Sequence, residues 1–329
     1  MKPISMSSRK QSGFGLVELM VAMTIGLILL GGIGYVFIGS RGAFRTTDNL
    51  SRIQENARYA LDMMSRDIRM AGYVGCGNIA SMITNTIANP PVPPMTAGNA
   101  LLGYNNGAGW TNPSSITRAA GDVISVMGAF SGGVNLTGNL APQNANVQIN
   151  ANPDGFETGD VLIVTNCVNA DVFKATTVSS GGGTTITVNH SNSSNSGNRV
   201  GTYGKDAFVM RMNQYSYFIG TNTAGNRALY RVGLNGSAEE LVEHVEDMQF
   251  RYGLDTNSDG AVDSYSSAPG TWTQVVSVTV NLLMRSPDNN VATSAQSLPF
   301  DNVTFNATDR RLYQVYSATV AVRNRLPAM

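Results

Sequence analysis

Leu19 to Ile38 is a run of 20 residues without a charged side chain. Coiled as a helix it is about 30 Å long, enough to cross a bilayer. Extending it back to Phe14 gives FGLVELMVAMTIGLILLGGIGYVFI, with Glu18 as its one charge. The residues before it, MKPISMSSRKQSG, carry Lys2, Arg9 and Lys10 and no acid. VVSVTVNLLM (275–284) is too short and alternates, so no second stretch qualifies. A basic start and an apolar run also describe a secretory signal peptide. Against that, the run exceeds the usual apolar length of about 7–15 residues, and no small-x-small cleavage site with a polar flank follows. Gly26, Gly31, Gly32 and Gly34 lie inside the run and each costs roughly 1 kcal/mol of helix propensity relative to Ala. Membrane helices tolerate such glycines, which also let neighbouring helices pack closely.

Beyond Gly39 the chain turns polar but keeps a helical period. Leu50, Ile53, Ala57, Leu61, Met64 and Ile68 fall on one face. Arg52, Glu55, Asp62, Arg66 and Asp67 are expected off that stripe. No Pro occurs between residues 4 and 89 to break the helix, and Gly72 is a reasonable stop. The pattern predicts one helix from about Phe14 to about Met70, apolar all round in its first half and amphipathic in its second.

From residue 73 helical periodicity nearly vanishes. Residues 85–115, with NPPVPP (89–94), read as loop. Strand-like segments follow at 122–127, 160–165, 184–188, 207–212, 214–220, 228–234, 274–286 and 314–325, many alternating apolar and polar as half-buried antiparallel strands do. In the last, Tyr316, Ala318, Val320 and Val322 share a face. AEELVEHVEDMQF (238–250) fits either a short helix or a strand. SSGGG (179–183) and HSNSSNSGNR (190–199) read as surface loops without packing capacity. His190 is expected to be exposed, and His244, among acids, to be a surface or capping residue. The expected class is α+β, a long helix with an antiparallel sheet domain.

Lys and Arg number 22 against 22 Asp and Glu, and only 13% of residues are charged, about half the usual roughly 25%. A net charge of zero argues against a nucleic-acid binder, as do Arg310, Arg311, Arg323 and Arg325, too few for a basic patch. With a mean hydropathy of −0.06 the chain is not a polytopic membrane protein. It has two His and no G-x-S-x-G, H-E-x-x-H, P-loop or dinucleotide glycine fingerprint, so no enzyme is expected. A membrane-tethered enzyme or ligand-binding module is the alternative from another class.

Gly13-Phe14-Gly15-Leu16-Val17-Glu18, behind a basic leader and before an apolar run, resembles the type IV prepilin cleavage motif. Gly15 departs from it where Thr is common. RIQENARYALDMMSRDIRMAGYVGCG (52–77), YGLDTNSDGAVDSY (252–265), WTQVVSVTVNLLMRS (272–286) and SATVAVRNR (317–325) resemble PilW-type minor pilins. The J-type pseudopilins of type II secretion share the helix, a similar sheet and the ending. The resemblance implies a pilin fold. Residues 1–13 would be the leader, 14–39 the transmembrane or filament-core half of the helix, 40–70 its amphipathic half, and 71–329 a periplasmic or extracellular β domain. It implies cutting by prepilin peptidase between Gly13 and Phe14 and methylation of the Phe14 amine. Glu18 would pair with that amine on a neighbouring subunit, which makes each charge tolerable. Implied partners are other minor pilins, the major pilin, a tip adhesin and the inner membrane. Loss of the leader leaves 19 basic against 22 acidic side chains.

An exported domain whose only cysteines are Cys76 and Cys167 suggests one disulfide. Asp255, Asn257, Asp259, Ala261 and Asp263 match places 1, 3, 5, 7 and 9 of a calcium loop, with Gly260 at 6. Place 12 is Ser266 and the flanks look like strands, so the readings are a calcium ion or a polar hairpin turn.

Overall fold

The computed structural model describes residues 13, 15–76, 79–89, 96–179 and 185–325. One helix runs unbroken over Leu16–Met70. Its first half stands clear of the other described residues: Leu16, Ile28, Tyr35 and Ile38 are each 70% exposed or more. Its second half buries Asn49, Ile53, Ala57, Ala60, Met64, Asp67 and Ile68. Spacings of three and four put these on one face. Ala60 rather than Leu61 lies at the centre of the contact, and Leu61 packs at its rim.

Asp67 corrects the sequence expectation, because it sits on the buried stripe, 5% exposed. The reason is positional: it follows Met64 by three residues, the same spacing that seats the apolar members. The helix stops where Gly72 takes φ +76 and donates to the Met127 carbonyl at 2.8 Å. Gly128 permits that approach. A Cβ there would lie 2.6 Å from the Met70 carbonyl oxygen.

The helix lies on a four-stranded antiparallel sheet ordered Ser264–Ser266, Val245–Leu254, Val275–Arg285, Tyr313–Ala321. Val278, Val280 and Leu282 of the third strand and Val320 of the last close over Ile53, Ala57 and Met64. A nine-stranded sheet among the described residues completes this core. Its spine is the 14-residue strand Phe208–Thr221. The end of that strand pairs with Arg118–Ala129 and Arg227–Val232, contributing Tyr217 and Ile219 to the helix core. Its beginning pairs with Val134–Asn135 and Val161–Thr165.

That beginning carries a second core. It includes Val147, Ile149, Phe156, Leu162, Phe173, Val188 and Tyr203, and a small sheet of Asn146–Ile149, Ile186–Asn189 and Thr177–Val178 covers part of it. Residues between Val134 and Val209 thus form a lobe on an extension of the main sheet.

Two further expectations change, and one reading left open is decided. Residues 85–115 are not all loop: Ile83–Thr86 and Leu101–Tyr104 are strands, each pairing with a strand distant in sequence. Segment 238–250 is two strands, Ala238–Glu243 and Val245–Leu254, hinged at His244 with φ +64. His190 is wholly buried, packed on Phe173 at 5.0 Å between ring centroids. The loop after it is anchored by Asn195, 2% exposed, which bonds both backbone groups of Lys174. The polar composition of 190–199 concealed side chains that satisfy backbone inside the lobe.

Candidate functional site

The places singled out in the sequence sit on separate elements: the helix start, the disulfide and the turn at 255–263. At the helix start the Glu18 carboxylate accepts a hydrogen bond from the Gly15 N–H at 3.1 Å. It closes the first turn, where a negative group is favoured by the helix dipole. Gly13 is described and exposed, whereas Phe14 and residues 1–12 lie outside the described residues. A Cβ added at Gly26, Gly31, Gly32 or Gly34 would meet nothing within 4 Å. These glycines face open space in the single chain, along a helix whose window of highest hydropathy is wholly unburied.

Where the helix enters the domain, Arg45 pairs with Asp288 at 3.1 Å, and Asn49 both donates to the Asp288 carboxylate and accepts from its backbone. At the other end Asp67 accepts from the Tyr217 hydroxyl at 2.5 Å and pairs with Arg231 at 3.4 Å. Arg231 in turn holds Glu239 at 2.8 Å and lies over the Tyr215 ring. Burial pushes the Asp67 carboxyl above its ordinary range, opposed by Tyr217 and Arg231. Both latches fix the helix against the sheets. Sequence reading missed them because it counted Asp67 as solvent-facing; its place on the stripe was the available signal.

Cys76 and Cys167 are joined, with Cα atoms 5.1 Å apart. Cys167 sits at φ +70 on the tip of the hairpin Val161–Thr165 to Ala170–Lys174, exposed to solvent. The bond ties the helix exit to the lobe.

The segment 255–263 is a turn folded on its own backbone. Asp255, 6% exposed, accepts from the N–H groups of Ser258, Asp259 and Gly260. Asp259 accepts from Ala261 N–H, and Asp263 from the hydroxyl and N–H of Thr256, which hold its carboxyl below the usual range. Asn257 donates its amide toward Asp259 at 3.1 Å. Among the described residues no three His, Cys, Asp or Glu side chains group as metal ligands. Melting with calcium and with chelator separates the two readings: equal midpoints mean that the turn stands on its own hydrogen bonds, and a higher midpoint in calcium means that it opens its carboxylates to the ion.

The histidines are inside. His244 joins two strands, its side chain 12% exposed and its ring 3.5 Å from Glu243. Burial holds the pKa of His190 below the ordinary 6.5, opposed by the backbone carbonyls of His190 and Asn144. A depressed histidine contributes stability that is present above about pH 6.5 and lost as pH falls through its folded value. The melting temperature should fall on acidification below pH 6.5, and less steeply in His190→Phe. Equal slopes in the two proteins would remove His190 from the account.

Comparison with known proteins now adds to the geometry. Residues 216–324 match the model of a family described as type IV pilus-assembly protein W. Residues 8–34 match the prokaryotic N-terminal methylation motif. No curated protein matches the chain. Among solved structures a type IV-like pilin from Thermus thermophilus is similar at 11% identity and a TM-score of 0.35, covering 83% of this chain and 97% of its own.

Proposed function

From the premise that this chain is a type IV pilin-like protein of the PilW family, we propose that it is a minor pilin that helps initiate pilus assembly at or near the tip. The observation that carries this is the pairing of two matches, over 8–34 and 216–324, on a helix whose apolar half stands clear of its own domain. Exposed apolar surface of that length must be covered by lipid or by other helices. The half to about Gly39 is the anchor in the inner membrane and later a member of the filament core. The amphipathic half seats the β domain, periplasmic first and extracellular after assembly.

In this reading residues 1–13 are removed by prepilin peptidase, the Phe14 amine is methylated, and Glu18 exchanges its bond to Gly15 for the amine of a neighbouring pilin. Other minor pilins, the major pilin and a tip adhesin are the partners. The family is a structural class, and the chain works by assembly rather than catalysis.

Mass spectrometry of sheared pili tests the reading. The expected result is this chain beginning at a methylated Phe14. Glu18→Ala should leave the protein in the membrane but absent from the pili, and Gly13→Val should leave the leader uncut. A Glu18→Ala protein in pili at the wild-type level would remove the pairing role. Loss of type II secretion with normal piliation on deletion would favour the pseudopilin alternative.

A further inference from the structure

The strand Tyr313–Ala321 closes one side of the four-stranded sheet and, among the described residues, pairs only with Val275–Arg285. Its register is unbroken, from Ser277 opposite Ala321 to Arg285 opposite Tyr313. Val322 N–H donates to the Val276 carbonyl at 2.8 Å. Because N–H and C=O groups alternate sides along a strand, Gln314, Tyr316, Ala318 and Val320 turn theirs toward the partner strand. Those of Val315, Ser317, Thr319 and Ala321 point outward. Tyr313 also points outward, and its N–H is capped by the Gln296 side chain at 2.6 Å. The other four have no backbone partner among the described residues, and all four residues are exposed.

Proteins blunt free edges with charge, proline or shortness. The other outer strands here follow that rule. Ala238–Glu243 carries Glu239, Glu240 and Glu243, Ile83–Thr86 has four residues, and Ser264–Ser266 three. Tyr313–Ala321 has nine residues, no charge and no proline. Its solvent face is neutral, with Thr319 bonded to Thr279 and Ser317 to Asn281 across the strands.

We propose that this edge receives an added β-strand from a different protein chain of the pilus assembly. An unpaired row of alternating donors and acceptors is complementary to extended backbone, and the small neutral side chains beside it suit an uncharged, β-branched segment. The choice of a different chain rests on the assembly reading above. Two copies joined antiparallel through this edge would be related by a two-fold axis. That axis would point their long helices in opposite directions, which anchoring in one membrane forbids.

Residue-level hydrogen exchange on the full chain tests this, in mild detergent extracts of native membranes and on the chain purified alone. In the extract the amides of Val315, Ser317, Thr319 and Ala321 should slow by about tenfold or more relative to the purified chain. Those of Tyr316, Ala318 and Val320 should be slow in both. Thr319→Pro removes one outward N–H and no ladder bond, so it should fold but lose the slowing at Ser317 and Ala321. Thr319→Val, which loses only the hydroxyl bond, should keep it. Outward amides equally fast in both samples would overturn the proposal, as would slowing already present in the purified chain, the sign of self-pairing. Slowing in the extract of a chain absent from sheared pili would sink the assembly reading and leave the edge standing.

Discussion

Replacing Cys76 and Cys167 together by serine should cost the folded domain about 2–5 kcal/mol, among the largest losses a paired substitution here can give. The bond spans 91 residues, so opening it frees a long loop in the unfolded chain. It also releases the segment after Gly72, where the helix exit meets the lobe. Denaturant unfolding followed by near-ultraviolet circular dichroism should show a lower midpoint for the double variant. Wild-type protein in reductant should fall to the same value, because Cys167 is open to solvent. A midpoint that neither change moves would mean that the lobe core alone holds the lobe in place.

The second large effect is expected at Asp67. Asp67→Ala leaves the Tyr217 hydroxyl without its buried acceptor and Arg231 with Glu239 alone, and orphaning a buried donor costs about 1–3 kcal/mol, more where a charged group is involved. Asp67→Asn keeps an acceptor for Tyr217 and discards the buried charge, so its loss should be much smaller. The pH response separates the two further. The native state holds the Asp67 proton more tightly than the unfolded chain does, since burial raises the carboxyl above its ordinary 3.8. The stability it contributes is therefore full below about pH 3.8 and declines as pH rises through the folded value. In Asp67→Asn that decline should vanish from the difference in melting temperature between pH 3 and 7. A difference curve without slope would mean that Tyr217 and Arg231 hold the carboxyl ionised throughout. A double-mutant cycle with Tyr217→Phe measures the coupling directly.

The long helix was legible because two simple signals agreed over 55 residues: an absence of charge, then a stripe at helical spacing. Strands with alternating or wholly apolar sequence were legible for the same reason. The errors share a cause. Asp67, His190 and Asn195 are polar side chains that the fold encloses, and composition assigns polar residues to water. Their burial depends on partners 21 to 150 residues away, Lys174 for Asn195 and Tyr217 for Asp67. No local pattern carries that information. His244 was obscure for a different reason: a left-handed residue between two strands reads, in sequence, as the middle of one helix turn. The pairing state of an edge is equally invisible, since Tyr313–Ala321 has the same alternation as any interior strand.

The lobe leaves the main sheet after Ala129 and its chain returns along Phe208–Thr221. At that junction Phe130 N–H donates to the Arg211 carbonyl at 3.2 Å, and Ala129 lies opposite Met212. An excursion that departs and rejoins at one point, with its own apolar interior, behaves as a cassette. Its length and outer chemistry can drift while the strands it leaves keep their register. The lobe stays fastened to the rest of the fold on its far side as well, through the pairing of Ile83–Thr86 with Ala170–Lys174 and the bond at Cys167.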